Sequence, residues 1–224
     1  SIRILSKDAG PDILVEHANR RIWVEAVAPT SGNKSNLDRV PPMQPGVVTE
    51  VPEDKIILRY RGAIKEKYNN KYPKYLESGV IAPKDSYVVA VNDCKIPSAI
   101  METVTPRIIK AVFPIGKRQI TIDKRLGIVI YDGYQRRGQI KRISGADVRT
   151  DIFLNPKYAN LSAVLCSHVN AGNCPQKMGG DFVLVHNPLA TNPIPHGFLK
   201  VEREYVCTQN QDTYSINAID NIRA

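Results

Sequence analysis

Apolar residues in the first hundred positions fall into two different periods, and the change of period marks the elements. Ile13-Leu14-Val15 and Arg21-Ile22-Trp23-Val24-Glu25-Ala26-Val27 are β-branched and aromatic runs split by a polar break at His17-Ala18-Asn19. That pattern predicts a β-hairpin, preceded by a further strand holding Ile2, Ile4 and Ala9. Residues 30–54 carry Pro41, Pro42, Pro45, Gly46 and Pro52 and predict a long loop. Pro52-Glu53-Asp54 then opens a helix, its acidic residues suiting the N-terminal dipole. Ile56, Ile57, Tyr60, Ile64 and Tyr68 recur at helical spacing. Pro73 is expected to kink or end this helix, with Tyr72, Tyr75 and Leu76 on a second short segment stopped by Gly79. Ser86 to Asn92 is an unbroken apolar run between polar turns, the pattern of a buried central strand.

The second half is less regular. A helix is expected over Arg107 to Phe113, a hairpin over residues 119–131 turning at Asp123 to Leu126, and strands at residues 161–166 and 181–186. A proline-punctuated loop follows from Asn187 to Pro195. Neither an internal repeat nor a linker composition appears, so one domain over residues 1–224 is expected, with a core to about residue 115 and an elaboration beyond it.

Composition narrows the class. Hydrophobic residues make up 42% and charged residues 24% of the chain, the balance of a soluble globular protein, and a cytoplasmic location is the expectation. No run approaches the ~18 apolar residues of a membrane span. The opening Ser1 to Leu5 lacks the apolar core of a signal peptide and reads as a chain entered inside a strand, so a preceding segment is expected. Four scattered cysteines, Cys94, Cys166, Cys174 and Cys207, fit reduced thiols better than a disulfide framework. A net charge of +9 suits a polyanionic partner, because neutralising phosphates releases counterions.

The candidate chemistry lies in the first hairpin. Asp12 opens one strand and Glu25 lies within the returning one, separated by enough chain to run down, turn and come back. Two converging carboxylates can seat a hard divalent ion. Gly10-Pro11-Asp12 followed by Ile22-Trp23-Val24-Glu25-Ala26-Val27 resembles the PD-(D/E)XK superfamily of restriction-endonuclease-like proteins. The resemblance implies an α/β fold with a mixed central sheet flanked by helices, here with extra C-terminal strands. It implies Mg²⁺ or Mn²⁺ held by Asp12 and Glu25, and hydrolysis of a phosphodiester in nucleic acid, DNA before RNA. A longer stretch, from Ile56-Leu58 through Lys67, Tyr75, Gly79 and Val88–Asn92 to Asn187-Pro188, is similar to bacterial proteins with this nuclease-like core.

One position departs from the pattern. The superfamily's lysine two residues after the glutamate is replaced by Val27. In some members that lysine has moved to the following helix, where Lys67 and Lys71 share the face of Tyr60 and Ile64. Lys71 to Tyr75 also loosely resembles the Gln-x-x-x-Tyr pattern of some nuclease branches, with lysine for glutamine. Glu16 shares the facing of Asp12 but lies about 13 Å farther along at ~3.3 Å per residue, which makes it a poor ligand.

Other clusters carry less. Cys166, His168, Cys174, His186 and His196 lack the paired spacing of a zinc signature, so buried thiols and hydrogen-bonded histidines are expected there. Lys117, Arg118, Arg136, Arg137, Lys141 and Arg142 form basic strings suited to phosphate contacts. The competing interpretation of the whole chain is an inactive nuclease-like fold that binds nucleic acid or protein, which Val27 favours.

Overall fold

The computed structural model describes residues 2–4, 10–17, 19–210 and 213–220. Ala9 and Ala18, named above in an opening strand and a turn, lie outside the described residues. The chain is mixed α/β. Strands β1 (Ile2–Ile4), β2 (Ile13–His17) and β3 (Arg20–Val27) form an antiparallel meander. Helix α1 (Glu53–Lys65) crosses over to β4 (Ser86–Asn92), which lies parallel to β3. Between them runs the expected loop, anchored where the buried Asp38 carboxylate accepts from the Ile143 amide at 2.9 Å.

Helix α3 (Arg107–Val112) leads into the hairpin β5 (Ile115–Asp123) and β6 (Ile128–Arg136). The hairpin is longer than the expected 119–131 and turns at Gly127, whose φ of +67° suits a residue without a Cβ. It carries Ile120, Ile122, Ile128, Val129 and Ile130 exposed. Short strands β7 (Gln139–Lys141) and β8 (Asp147–Arg149) form a second small sheet. Strands β9 (Ala163–Ser167), β10 (Val183–His186), β11 (Arg203–Asn210) and β12 (Thr213–Asp220) rejoin the main sheet. Among the described residues that sheet has eight strands in the order β1-β2-β3-β4-β9-β10-β11-β12, so both halves of the chain feed one sheet.

Strand alternation divides the interior in two. Leu14, Trp23, Tyr87, Val89, Val91, Val164 and Val185 face one side, where they pack on Ile56, Ile57, Tyr60 and Ile64 of α1 and on Ile108 and Ile109 of α3. Ile22, Val24, Val88, Ala163 and Leu184 face the other and meet Ile194, Val201 and Phe198. Helices were expected to flank the sheet, yet the second face is covered by the segment between β10 and β11. Its Phe198, Leu199 and Val201 supply the apolar cover that a helix would otherwise give.

The helix after residue 53 also differs from its expected kink. Pro73 cannot donate to residue 69 and would clash with that carbonyl in α geometry. The chain answers with a π-helical stretch, Glu66–Lys71, before α2 (Tyr72–Glu77), which accepts Pro73 in its first turn. Gly79 ends it at φ +72°. Among the described residues no helix is long and apolar enough to cross a membrane.

Candidate active site

Glu25 sits on β3 between Trp23 and Val27, on the face that meets α1, and is only 3% exposed. A carboxylate taken out of water there must be paired or hydrogen-bonded. It is both. Lys67 donates from Nζ to Glu25 Oε1 at 2.6 Å, and the Tyr75 hydroxyl donates to Oε2 at 3.1 Å.

The π turns explain how two residues eight apart reach one carboxylate. In an unbroken α-helix that separation is two turns plus about 80°, so Lys67 and Tyr75 would address different directions. The wider turns over Glu66–Lys71 take up the excess. The Tyr87 hydroxyl also reaches the Lys67 carbonyl at 3.4 Å and ties the π stretch to β4.

Asp12 immediately precedes β2. The pairing of Ile13 with Val24, continued by one step, sets Asp12 directly across from Glu25. Its Oδ2 accepts from the Ala26 amide at 2.8 Å, which fixes the carboxylate beside the glutamate's own peptide. Both acids act on the same aromatic groups. Burial first, then the charge of Glu25 and its hydrogen bond, and then the charge of Asp12, push the Tyr75 hydroxyl well above its ordinary range. Burial and the Glu25 charge do the same to Tyr87, which stays a neutral donor.

The remaining sequence candidates are dispersed. Lys71 is half-buried, and Glu25 is bonded by Lys67 and Tyr75 instead. Lys117 and Arg118 lie on β5, Arg136 closes β6 and Lys141 lies on β7, all exposed and on the two-stranded sheets. Arg118 is engaged by Asp132 at 2.9 and 2.6 Å, Arg137 is bonded to Asp54, and Arg142 lies 3.8 Å from Asp38. Lys117, Arg136 and Lys141 therefore carry more of the available positive charge than their paired neighbours. Glu16 faces Arg21 at 3.7 Å.

Among the described residues two further groups of three could hold a metal ion, and neither was legible as a motif. The first is Asp93, Cys166 and His168, at the C-terminal ends of the parallel strands β4 and β9. Asp93 is fully buried, takes a hydrogen bond from the Tyr60 hydroxyl, and lies 2.6 Å from His168 Nδ1 and 3.9 Å from Cys166 Sγ. Burial lowers the His168 pKa, but the bond to Asp93 and the charges of Asp93, Glu102 and Asp181 outweigh it and leave the pKa raised. Burial, then Asp93, push the Cys166 thiol upward, so it remains protonated and inert. The group borders an open cleft of about 370 Å³ that Lys95 and Asn170 help to line. The second group is His186, His196 and Glu204, on the opposite face of the sheet.

No family model matches the sequence, and neither a curated protein nor a solved structure matches the chain.

Proposed function

We propose that the chain is a metal-dependent nuclease of the restriction-endonuclease-like kind, hydrolysing phosphodiester bonds at Asp12, Glu25 and Lys67. The observation that carries this reading is the Lys67–Glu25 pair at 2.6 Å, because it brings the helix lysine to the glutamate whose strand has Val27 where that lysine is usual. The order of meander, helix and parallel strand supports the same family core.

The donor set fits a hard divalent cation. Asp12 and Glu25 offer only oxygens, and Asp12 Oδ2, Glu25 Oε1 and Glu25 Oε2 each keep a second lone pair beyond the hydrogen bond they accept. Mg²⁺ or Mn²⁺ bound there would acidify a water and neutralise charge on the phosphate. The chain's own groups supply the rest. Tyr75 orients the Glu25 carboxylate, the Ala26 amide orients Asp12, and the Lys67 ammonium would turn from Glu25 to a phosphate oxygen as charge develops. Lys117, Arg136 and Lys141 would contribute exposed charge for backbone contacts, with DNA as the first substrate to try.

A second reading is a nuclease-like fold without activity, acting as a nucleic-acid or protein binder. The apolar Val27, packed against the core, favours it. Plasmid, single-stranded DNA and RNA incubated with the protein in Mg²⁺ or Mn²⁺ separate the two. The nuclease reading expects cleavage that Glu25→Ala and Lys67→Ala each reduce at least about 100-fold while binding persists. Absence of cleavage with both metals on all three substrates, with binding kept by Glu25→Ala, leaves the binding module.

A further inference from the structure

We infer that His186, His196 and Glu204 form a site for zinc or a similar first-row divalent ion, a clip that closes the crossover from β10 to β11. The inference is independent of the nuclease reading, since the group lies on the other face of the sheet.

The topology brings the ligands together from three places. The parallel register pairs Leu184 with Glu204, so His186, two residues along β10, faces the same side as both. That side is the one covered by Ile194, Val201 and Phe198. His196 comes from the covering segment itself, where Gly197 at φ +71° turns the chain back. The Gly197 amide then donates to Glu204 Oε1 at 2.9 Å, which leaves Oε2 aimed at the two imidazoles.

Distances favour an ion. Glu204 Oε2 lies 2.9 Å from His186 Nε2 and 3.5 Å from His196 Nδ1, and all three ligand atoms lie within 4.8 Å of one another. Tetrahedral zinc with bonds of about 2.0 to 2.2 Å sets neighbouring donor atoms about 3.3 to 3.6 Å apart. Shifts of less than about 1 Å in the rings would complete the geometry. His186 and Glu204 are buried, whereas His196 is 59% exposed, so the fourth position opens to solvent and has room for a water. Two imidazoles with one carboxylate suit zinc far better than magnesium or calcium, which prefer oxygen alone. Ligation at His186 Nε2 would replace the hydrogen bond that this nitrogen makes with Glu204 Oε2 at 2.9 Å.

The full chain, stripped with a chelator, is titrated with Zn²⁺ by calorimetry and followed by thermal melting. One equivalent is expected, with Tm raised roughly 5 to 10 °C at a hundredfold excess over Kd. His196→Ala, an exposed substitution that leaves the fold intact, should weaken binding more than about 100-fold, beyond what loss of a supporting partner costs, and abolish the Tm gain. Co²⁺ in place of zinc should show tetrahedral d–d bands without a thiolate charge-transfer band. His168→Ala should bind as the parent does. No uptake, uptake untouched by His196→Ala, a thiolate band, or loss of binding in His168→Ala each overturns the assignment.

Discussion

Replacing Lys67 by methionine keeps the length and apolar stem of the side chain and removes only its charge. Glu25 would retain the Tyr75 hydroxyl at 3.1 Å and lose a cation 2.6 Å away, while staying almost wholly out of water. At that separation and an effective dielectric near 20 the attraction is about 6 kcal/mol, much of it offset by the desolvation both ions already bear. Removing one member of a buried pair typically costs 3 to 5 kcal/mol. Here Lys67 is 17% exposed, so water can follow the vacated ammonium and limit the loss. The expected destabilisation is therefore about 2 to 3 kcal/mol, read by urea unfolding at pH 7, or a Tm lowered by roughly 4 to 12 °C for a chain of this length. Glu25→Gln introduced beside Lys67→Met should recover about half of the loss, because no buried charge then remains uncompensated. A double-mutant cycle should return coupling of at least about 1 kcal/mol. Lys67→Met within 0.5 kcal/mol of the parent, or a cycle without coupling, would show that the pair contributes nothing and that Glu25 is compensated from elsewhere.

Four other variants test separate parts of the structure. His168 has a pKa raised above its unfolded value of 6.5, so its contribution is fully present below about pH 6.5 and is lost as pH rises through the folded pKa; the stability difference between the parent and His168→Asn should be larger at pH 5.5 than at pH 9. Gly179 combines φ +81° with a space in which an added Cβ would lie 2.1 Å from the Lys200 carbonyl oxygen, whereas Gly127 at φ +67° has nothing within 4 Å. Gly179→Ala should cost about 3 kcal/mol or more and Gly127→Ala about 1 kcal/mol, compared by urea midpoints. Asp85, 2% exposed, accepts from Trp23 Nε1 at 2.9 Å and from the Ala82 amide at 2.9 Å; Asp85→Ala leaves both donors unmet, costs about 2 to 4 kcal/mol, and shifts the emission of the chain's single tryptophan.

The first half was legible because each local signal agreed with the fold. Two β-branched and aromatic runs split by a polar break located β2 and β3, and a single acid in the run Ile22–Val27 singled out Glu25. A lysine on an apolar helical stripe singled out Lys67. Lys71 drew equal notice because a 3.6-residue period carried past residue 65 treats it as one more turn of the same face. The π stretch changes that period, and its cause, Pro73, signals a break without saying how the chain accommodates it. Strands β11 and β12 were not located individually: Arg203–Asn210 carries mostly polar residues, and the alternation of Tyr214, Ile216 and Ala218 in Thr213–Asp220 went unread. Their pairing to each other supplies what the pattern does not announce.

The two metal-capable groups were only half seen, for a different reason: Cys166, His168, His186 and His196 were weighed as zinc ligands and set aside for their spacing, while Asp93 and Glu204 were not singled out. A motif is visible when its ligands are close in sequence, and these are joined instead by parallel crossovers. Asp93 and His168 meet because β4 and β9 run side by side in one direction, and His186 and Glu204 meet because β10 and β11 do. The same alternation that turns Glu25 toward α1 turns Glu204 toward the opposite side, so one sheet buries two carboxylates on two faces. Glu25 is compensated by the Lys67 ammonium, carried on the π-helical stretch that packs over the strand. Glu204 is met by two imidazoles and an amide carried on a loop. An ammonium repels a cation unless it first moves away, whereas a neutral imidazole ligates one directly. Metal binding as proposed at each buried acid would then require displacement of Lys67 on one face and only exchange of the His186–Glu204 hydrogen bond on the other.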